Sequence, residues 1–514
     1  MNTSHATTWG RGFLLKLCLM ALVDALGVYA VILAWSRQSW VIAAFLVISL
    51  IAANVVYFSR RMTPAKYLLP GLFFLAVYQI FVIAYTGYAA FTNYGDGHNS
   101  TKDDAIAAIE ANSFQRVPDS AGYPLTVLEK GSDLAFLVTE PDGSAALAAA
   151  DEPLAPAPEA TFTGSKATGL EGYTTLALGD LLQRQSEILA LQAPLGEDPS
   201  DGVLRTPDGS TAYAYLPVLV YDEAADNFTD TSNGDVYRPS EDGRFVDDSG
   251  QALEQGWRVF IGAKNFTSVL TEPSLRGPFW SVLIWTFVFA ISSVALSYFL
   301  GLALAIVLNH PSVRGRKIYR SLLILPYAFP AFLSVLVWQG IFNPQFGFMN
   351  TQVLGGADIQ WLTDPWLARL CVIVVNVWMT FPYMFLISTG AIQSLSSDVM
   401  EAASIDGAGW FQIFRLIKLP LLLVSTAPLL ISSFAMNFNN FNSIYMLTEG
   451  GPLKHPTDQA GSTDILISFV YRLAFSGVNK QYGLACAISM MIFVIVATIS
   501  ALSFRRTGSL EEMN

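Results

Sequence analysis

Eight long apolar stretches constrain the fold of this chain more than any other feature of its sequence. A helix needs about 20 predominantly apolar residues to cross the hydrocarbon core of a bilayer. The stretches are Phe13–Trp35, Trp40–Phe58, Tyr67–Phe91, Phe279–Leu308, Leu322–Phe342, Leu370–Ile392, Leu419–Leu447 and Gly483–Phe504. All but the first lack a formally charged residue. The pattern predicts a polytopic membrane protein with eight transmembrane helices.

The composition excludes an ordinary soluble enzyme and a disordered chain. Charged residues make up only 14% of the sequence and hydrophobic residues 53%, whereas a soluble domain carries about 25% charged residues. Cys18, Cys371 and Cys486 all lie in apolar stretches. Their positions argue against a disulfide framework, a thiolate metal site or a CxxC redox centre.

The first stretch contains two charged residues, Lys16 and Asp24. Lys16 lies near one end and can extend its ammonium group to the membrane interface. Asp24 lies in the middle, so we expect it to face protein or water, with a structural polar contact favoured over a functional role. The stretch is too long for a signal peptide and no cleavage-site pattern follows it, so we interpret it as a retained anchor.

Basic residues flank alternate ends of the stretches, and such residues concentrate in cytoplasmic loops. They are Arg11 and Lys16; Arg60, Arg61 and Lys66; Arg314, Arg316, Lys317 and Arg320; Arg415 and Lys418; and Arg505 and Arg506. All of them are cytoplasmic if the N-terminus lies inside. We therefore predict a multi-pass protein of the bacterial inner membrane with both termini in the cytoplasm.

This orientation places residues 92–277 outside the cytoplasm. The segment holds 30 acidic and 11 basic residues, whereas the rest of the chain holds 11 acidic and 18 basic residues. A segment of this length can form its own core. Two interpretations of its acidic surface stay open, a merely solvated domain and a docking surface for an extracytoplasmic partner.

Local patterns within this segment indicate a mainly β domain. Alternating apolar residues predict strands at Ala212–Tyr221 and Trp257–Ile261. Helices are predicted at Lys102–Ala111 and Gly179–Leu191, and the Ala/Pro-rich stretch Ala145–Pro158 is predicted to be a flexible loop. Turns are predicted at Asp142-Gly143, Asp208-Gly209 and Asp242-Gly243.

The segment between the sixth and seventh stretches is predicted to form a short helix, a turn and a second helix. Glu401 near the start of the first helix complements the helix dipole, and Ala402–Ala403 keep this helix thin enough to occupy a cleft. Gly407 allows the backbone angle that ends a helix. Pro420 fits the start of the next helix, where its missing N–H costs little.

This segment resembles the coupling loop of ABC importer permeases, because its spacing EAA-x3-G-x9-I-x-L-P reproduces the signature of that family. The resemblance implies docking into a groove on a separate ATPase subunit. The implied ATPase-coupling residues are Glu401, Ala402, Ala403, Asp406, Gly407, Ile417, Leu419 and Pro420. The chain has no GxxxxGK[ST] phosphate loop, so we expect a non-catalytic subunit without a cofactor of its own. ATP and Mg²⁺ are expected on the partner.

The resemblance extends along nearly the whole chain to the larger permease subunit of maltose/maltodextrin importers, the MalF type. It is carried by Phe91–Tyr94, Arg314–Pro330, Ser433–Phe441 and Leu447–Pro452. It implies an importer for maltose, maltodextrin or a related α-glucoside such as trehalose. The implied partners are a second, MalG-like permease, a homodimeric MalK-like ATPase and an extracytoplasmic sugar-binding protein, with no nucleic acid.

Together the patterns predict an all-α polytopic membrane protein of eight transmembrane helices with a type I ABC importer permease core. A large, mainly β extracytoplasmic domain is inserted between spans three and four. The predicted segments are an N-terminal hairpin with its cytoplasmic loop (1–66), span three (67–91), the extracytoplasmic domain (92–277), the permease core (278–506) with a coupling loop (394–420), and a cytoplasmic tail (507–514).

Polar residues inside three spans indicate a binding site, because such groups are costly in a bilayer unless they are paired or face water. Asn437 and Asn440 are three residues apart, and Asn376, Thr380 and Tyr383 also share one helix face. Amides and hydroxyls bond sugar hydroxyls, and aromatic rings cover apolar sugar faces. The alternative is that these groups bond across spans and hold the helices together.

The resemblance to the MalF type assigns sugar contact to matching positions. These are Tyr327, Ala331, Asn376, Thr380, Tyr383, Met436, Asn437 and Asn440. Three depart from the family pattern, with Ala331 in place of serine, Thr380 in place of glycine and Met436 in place of phenylalanine. These departures put maltose itself in doubt as the sugar carried.

Two other functions compete with transport as explanations of the sequence. A membrane enzyme acting on polysaccharide would need carboxylates placed by a recognisable motif, and neither HExxH nor GxSxG occurs in the sequence. A sensor with an extracytoplasmic carbohydrate-recognising domain would need a cytoplasmic output. The residues after Arg506 are expected to be too few for a signalling domain.

Overall fold

The computed structural model describes residues 10–59, 61–117, 120–150, 152–196, 201–310, 312–455, 458–476 and 480–511. Arg60, one of the basic residues predicted to face the cytoplasm, lies outside the described residues, as does the side chain of Arg506. The chain divides into two units, residues 1–88 and residues 89–514. Each unit is described by itself.

The first unit consists of apolar helices. They are α1 (Arg11–Ser36), α2 (Trp40–Phe58), α3 (Thr63–Leu75) and α4 (Phe81–Ala90), the last two joined by a π-helical turn at Ala76–Ile80. Asp24 of α1 accepts a hydrogen bond from Asn54 Nδ2 of α2 at 2.8 Å. The mid-span carboxylate therefore has a protein partner, as the sequence predicted.

The second unit begins with a β-rich region. Its elements are α5 (Lys102–Asn112), β1 (Phe114–Arg116), β2 (Tyr123–Lys130), β3 (Asp133–Thr139), β4 (Ala145–Ala149), β5 (Glu152–Pro156), β6 (Thr161–Thr163), β7 (Lys166–Gly169), β8 (Thr174–Thr175), α6 (Leu178–Gln183), α7 (Gln185–Ala190), β9 (Ala193–Pro194), β10 (Val203–Arg205), β11 (Thr211–Pro217), β12 (Leu219–Asp222), β13 (Asn227–Asp230), β14 (Val236–Pro239), β15 (Arg244–Val246), β16 (Ala252–Gly256) and α8 (Lys264–Thr271).

The strands form antiparallel sheets. The larger sheet has the order β5-β4-β3-β2-β11-β10-β9, with β1 paired to β11 and β8 paired to β2. Its central register places Val127 opposite Phe136, and buried side chains of β2, β3, β4 and β11 pack with Ile188 of α7. The strands β12 to β16 form a meander, whose buried rings of Phe228 and Phe245 pack against α5.

The three predicted turns are confirmed. Gly143, Gly209 and Gly243 all adopt positive φ, at 88°, 73° and 76°. Glycine is the residue that adopts this conformation without a steric penalty. The helix predicted at Lys102–Ala111 is also present, as α5.

Other predictions for this region were wrong in detail. Ala145–Pro158 is not a loop but forms β4 and β5, because small alanines fit beside the buried face of β3. Ala212–Tyr221 is divided between β11 and β12, which belong to different sheets. Trp257–Ile261 makes only isolated bridges to residues 100 and 92, and Gly179–Leu191 is two short helices, α6 and α7.

The membrane body follows the β-rich region. Its helices are α9 (Pro273–Asn309), α10 (Arg316–Ala328), α11 (Ala331–Ile341), α12 (Pro365–Ser394), α13 (Ser397–Ile405), α14 (Trp410–Ile413), α15 (Leu419–Phe438), α16 (Phe441–Thr448), α17 (Leu466–Tyr471) and α18 (Tyr482–Glu511). π-helical turns lie at Met349–Val353, Phe414–Lys418 and Arg472–Ser476. The β-rich region joins the body where α8 and α18 meet residues 89–94, with Asn265 Nδ2 donating to the Ala90 carbonyl and the Gly483 N–H donating to the Tyr94 carbonyl. We call this the domain end.

The number of spans agrees with the prediction. Within the described residues seven helices are long and apolar enough to cross a membrane, and the pair α10–α11 makes an eighth if it is one span. The all-α description holds for the membrane part only, since the region between β1 and β16 is built of strands. The membrane core is centred on α9 and α12, which pack so closely that a Cβ atom on Gly301 would lie 2.6 Å from the Phe385 backbone nitrogen.

Two predicted spans are broken. The stretch Leu322–Phe342 bends by 92° between α10 and α11, at Phe329-Pro330, because proline lacks the N–H that would continue the helix. The stretch Leu419–Leu447 ends as a helix at Phe438, and a separate short helix, α16, follows. Both breaks lie beside the predicted binding residues.

Candidate functional site

A cavity of about 550 Å³ lies among α10, α12, α15 and the start of α16. Amide, hydroxyl, aromatic and thioether groups line it. The lining residues are Tyr327, Met379, Thr380, Tyr383, Met384, Ser433, Met436, Asn437, Asn439, Asn440, Phe441 and Asn442. The wall offers many hydrogen-bonding groups and no carboxylate, which suits an uncharged polar ligand.

The break after α15 shapes one wall of this cavity. Asn439 ends α15, and Asn440 begins α16 by accepting a hydrogen bond from the Ser443 backbone N–H at 3.3 Å. Asparagine favours such helix ends because its side chain bonds nearby backbone groups. The expectation that Asn437 and Asn440 share one helix face was therefore wrong, since they belong to different helices.

Asn376 of α12 nevertheless brings the two asparagines together. Its Nδ2 donates to Asn437 Oδ1 at 2.6 Å, and its Oδ1 accepts from Asn440 Nδ2 at 2.9 Å. The Ser443 hydroxyl donates to the same oxygen at 3.4 Å. Asn376 is fully buried. The result is an amide network that joins α12, α15 and α16.

The network leaves hydrogen-bonding capacity on the cavity side. A carboxamide carries two N–H donors. Asn437 donates one to the Ser433 carbonyl at 2.8 Å and Asn440 donates one to Asn376. The second donor of each remains to be accounted for by a ligand or water. The network thus both holds the helices together and orients groups toward the cavity, so the two interpretations of these residues are compatible.

Aromatic and apolar groups also line the cavity. The rings of Tyr327 and Tyr383 lie stacked, with centroids 6.2 Å apart and planes 15° from parallel. Tyr327 is 57% exposed and Met436 is 74% exposed. Such exposed rings can cover an apolar sugar face. The Thr380 hydroxyl donates its proton to the backbone carbonyl of Asn376 at 2.7 Å, so this donor is not free to bind a ligand.

The structure gathers most, but not all, of the predicted site residues. Asn376 lies behind the cavity wall rather than on it, and Ala331 lies beyond the bend at the start of α11, outside the lining. Sequence reasoning missed several lining residues, namely Met379, Met384, Ser433, Asn439, Phe441 and Asn442. Asn439, Phe441 and Asn442 line the cavity because the helix breaks between α15 and α16. The pair Asn439-Asn440 inside an apolar stretch was the sequence signal for this break.

The second candidate site lies at the opposite end of α12 from the domain end. Ser396 caps the start of α13, and its hydroxyl accepts a hydrogen bond from the Asp398 N–H at 3.3 Å. The helix ends at Ile405, and Gly407, two residues later, has φ of 83°. The Ala408 N–H donates to the Ala403 carbonyl at 3.0 Å, which is the hydrogen bond that closes a glycine-ended helix. The predicted short helix and glycine turn are both present.

The surface of this segment is unusually apolar. The side chain of Ile405 is 85% exposed, and those of Trp410, Phe411 and Leu416 are 68%, 61% and 69% exposed. Exposed apolar groups concentrated in one surface segment mark an interaction site. Glu401, Ala402 and Asp406 are exposed beside them.

Pro420 lies in the first turn of α15 (Leu419–Phe438), as the sequence predicted. The helix α14 and the π-helical turn Phe414–Lys418 precede it without a break, so the continuous helical run extends from Trp410 to Phe438. The π-helical turn Phe414–Lys418, immediately before Pro420, accommodates the residue that cannot donate a backbone hydrogen bond. Ile417 and Leu419 are half-buried in this part of the run.

One helix connects the two sites. Tyr383 of the cavity wall lies on α12, and Ser396 follows the end of α12 and precedes α13. At a rise of 1.5 Å per residue, the two residues are about 20 Å apart along the helix direction. A displacement of α13 can therefore reach the cavity through a rigid element.

Comparison with known proteins relates the chain to membrane transport subunits. Residues 297–507 match the family described as "Binding-protein-dependent transport system inner membrane component". Residues 73–151 match the family described as "N-terminal of TM subunit in PBP-dependent ABC transporters". The first match contains both candidate sites.

Two curated relatives are similar over almost their whole length, and both are named maltose/maltodextrin transport system permease protein MalF. The Vibrio cholerae protein is 34% identical, with 97% of this chain and 95% of the relative covered. The Photorhabdus laumondii protein is 33% identical, with 98% of each chain covered. A solved bacterial ABC transporter involved in the import of the acidic polysaccharide alginate aligns at 22% identity with a TM-score of 0.42, covering 48% of this chain and 84% of its own.

Proposed function

The chain belongs to the MalF family of binding-protein-dependent transport permeases, and we propose that it forms the sugar pathway of an importer for maltose, maltodextrin or a related α-glucoside such as trehalose. It is a multi-pass, non-catalytic permease subunit of an ABC importer. ATP and Mg²⁺ are assigned to a separate ATPase. The comparisons give no support to the membrane-enzyme or sensor alternatives.

The cavity is the observation that carries this proposal. Asn437 and Asn440 offer amide groups in its lining, and Tyr327 and Tyr383 offer stacked rings. A pyranose presents hydroxyls around its rim and apolar C–H groups on its faces, so it complements both kinds of group. The volume of about 550 Å³ lies in the range typical of small-molecule sites.

Coupling to the ATPase is assigned to α13 and the glycine turn. The exposed apolar side chains of Ile405 and Trp410 would be covered by a groove on the partner. ATP binding would move the pair of ATPase subunits, α13 would move with them, and α12 would transmit the movement to the cavity. This is a population shift between inward-facing and outward-facing states.

The remaining partners follow from the family. We assign a second, MalG-like permease to complete the pathway, a MalK-like ATPase dimer to bind ATP, and a soluble sugar-binding protein to deliver the substrate. In this assignment the domain end faces outward and α13 faces the cytoplasm, with both termini inside. The positive charge near α10 and the acidic β-rich region agree with that orientation.

The test is uptake by the complete complex in proteoliposomes, with Asn437→Ala combined with Asn440→Ala. Loss of two ligand-facing amides is expected to raise the half-saturating sugar concentration by about tenfold or more. A panel of maltose, maltotriose and trehalose identifies the preferred sugar. The control is Asn233→Ala, which changes an exposed asparagine bonded to Asp235 in the β-rich region.

Unchanged uptake kinetics for the double variant would contradict the assignment of the cavity. A similar change in the control would show that the effect is not specific to the cavity. A maximal uptake rate that falls equally for every sugar, with an unchanged half-saturating concentration, would place the defect in assembly or coupling. That result would also contradict sugar contact by these amides.

A further inference from the structure

A buried carboxylate lies at the domain end of the membrane body, away from the cavity. Asp464 is 1% exposed. Its Oδ2 accepts from the Gly461 N–H at 2.7 Å, and its Oδ1 accepts from the Ser468 hydroxyl at 2.7 Å. Arg472 pairs with Oδ2 at 3.1 Å. Burial raises the pKa of the Asp464 carboxyl, and the charge of Arg472 opposes that shift.

The carboxylate is held in a fixed frame by two long helices. We call Gly461–Leu466 the support segment. Trp285 Nε1 of α9 donates to the Thr463 carbonyl at 3.1 Å, and Arg369 Nε of α12 donates to the Ser462 carbonyl at 2.7 Å. The Thr286 hydroxyl of α9 accepts from the Leu466 N–H at 3.0 Å. The support segment is therefore tied to both α9 and α12.

The residues Glu449–Gly451, which we call the Gly-Gly turn, lie directly against this frame. Arg472 Nη2 donates to the Glu449 carbonyl at 2.6 Å. A Cβ atom on Gly450 would lie 1.9 Å from Asp464 Oδ1, so any side chain there would displace the carboxylate. The Thr463 hydroxyl donates to the Gly451 carbonyl at 2.6 Å. The turn therefore packs against the Asp464–Arg472 pair.

The Gly-Gly turn ends the helix whose other end enters the cavity wall. The helix α16 begins after Asn440 and ends at Glu449, which is in the left-handed conformation with φ of 51°. With eight residues it is about 12 Å long. Its Ile444 and Leu447 are buried. A short, packed helix moves as a rigid body, so a displacement of the turn displaces Asn440.

We propose that Asp464 is a positioning residue for the candidate sugar site. Together with Arg472 it holds the Gly-Gly turn against the support segment, which fixes α16 and thereby the place of Asn440 in the cavity wall. The inference rests on the proposed function of the cavity. It adds that sugar affinity depends on a charge pair at the domain end that does not line the cavity.

Two variants test the proposal in the complete reconstituted complex. Asp464→Asn removes the charge and retains one oxygen acceptor. Arg472→Lys retains the positive charge, but a single ammonium cannot reproduce the planar fork that reaches both Asp464 and the Glu449 carbonyl. Each is expected to raise the half-saturating sugar concentration about three- to tenfold with little change in maximal rate. Asp242→Asn is the matched control, since it breaks an exposed ion pair with Lys264 at 2.7 Å outside this frame.

A double-mutant cycle with Asn440→Ala separates positioning from a general structural role. If Asp464 acts through Asn440, Asp464→Asn adds little to the effect of Asn440→Ala on half-saturation. Multiplied effects, or a fall in maximal rate with unchanged half-saturation, would overturn the inference. If Asn437→Ala combined with Asn440→Ala leaves half-saturation unchanged, the proposed function fails and the inference with it. If that double variant raises half-saturation while Asn440→Ala alone does not, or while the Asp464 and Arg472 variants match the control, only the inference fails.

Discussion

At the scale of the residue, Asn376 joins three side chains from two neighbouring helices and the break between them. It is buried and bonds the side chains of Asn437, Asn440 and Ser443. Its importance could be predicted from helical spacing and from the family resemblance. Its position behind the cavity wall could not, because that depends on which way Asn440 turns after the break in the helix.

We expect Asn376→Ala to lower the thermal stability of the purified chain. The substitution leaves the buried Asn437 Oδ1 without its donor, at a cost of about 1–3 kcal/mol. Asn439→Ala is the control, because Asn439 is exposed and donates only to the Ala435 carbonyl of its own helix. A midpoint of unfolding that falls equally for both variants would contradict the network.

The local stability of the β-rich region around His98 and Arg244 is expected to depend on pH. The His98 Nε2 atom accepts a hydrogen bond from Arg244 Nε at 3.1 Å. Burial and the positive charge of Arg244 lower the pKa of the imidazole. The hydrogen bond to the Asp96 backbone and the negative charge of Asp242 partly oppose this shift. Because the folded-state pKa lies below the ordinary 6.5, the stabilisation is complete above pH 6.5 and is lost as the pH falls through the folded-state pKa.

Hydrogen exchange of residues 97–101 and 242–246 measures this effect. In the native chain protection should decrease as the pH falls below about 6.5, after correction for intrinsic exchange. His98→Gln keeps an acceptor and removes the titration, so its protection should be flat over the same range. An equally steep profile in His98→Gln would show that another group is responsible.

At the scale of the element, hydrophobic stretches predicted where the membrane helices lie but not where they break. The mean hydropathy of Leu322–Phe342 carries no information about the direction of the helix axis. The 92° bend between α10 and α11 was therefore not predicted, although Pro330 lies at the bend. The strands β4 and β5 were missed because alanine and proline are both uncommon in strands. Pairing with β3 overrides that preference.

Gly407→Val is expected to abolish uptake while membrane insertion and cavity binding persist. Gly407 has φ of 83°, which a β-branched residue adopts only with strain. The helix α13 would then end differently and present Ile405 elsewhere. Gly407→Asn is the control, because asparagine tolerates the left-handed conformation. Sugar-stimulated ATPase activity and uptake report the result, and full coupling in the valine variant would contradict the role of the turn.

Gly301→Ala is expected to destabilise the membrane core. The added Cβ would lie 2.6 Å from the Phe385 backbone nitrogen, so α9 and α12 would have to separate, at a cost of about 1–3 kcal/mol. Gly390→Ala in α12 is the control, since no heavy atom lies within 4 Å of its added Cβ. Thermal unfolding in detergent should show a lower midpoint for Gly301→Ala alone, and equal midpoints would show that the packing is not this close.

At the scale of the whole molecule, the chain joins an acidic β-rich region to a membrane body with a polar cavity and an exposed apolar segment. The length of residues 92–277 between the third and fourth apolar stretches was sufficient to predict an inserted domain. The sequence could not specify the sheets, because strand partners such as β2 and β11 are distant along the chain. The cavity lies along α12 and the exposed apolar segment follows the end of that helix, which is the arrangement that the proposed coupling requires.

ATP-driven accumulation of labelled sugar tests this account most directly. The complete complex, with its second permease, ATPase and binding protein, is reconstituted into proteoliposomes with ATP on the α13 side. The account predicts saturable uptake of maltose or a related α-glucoside that requires ATP and is abolished by Gly407→Val. An assembled complex that hydrolyses ATP but accumulates none of these sugars would contradict it.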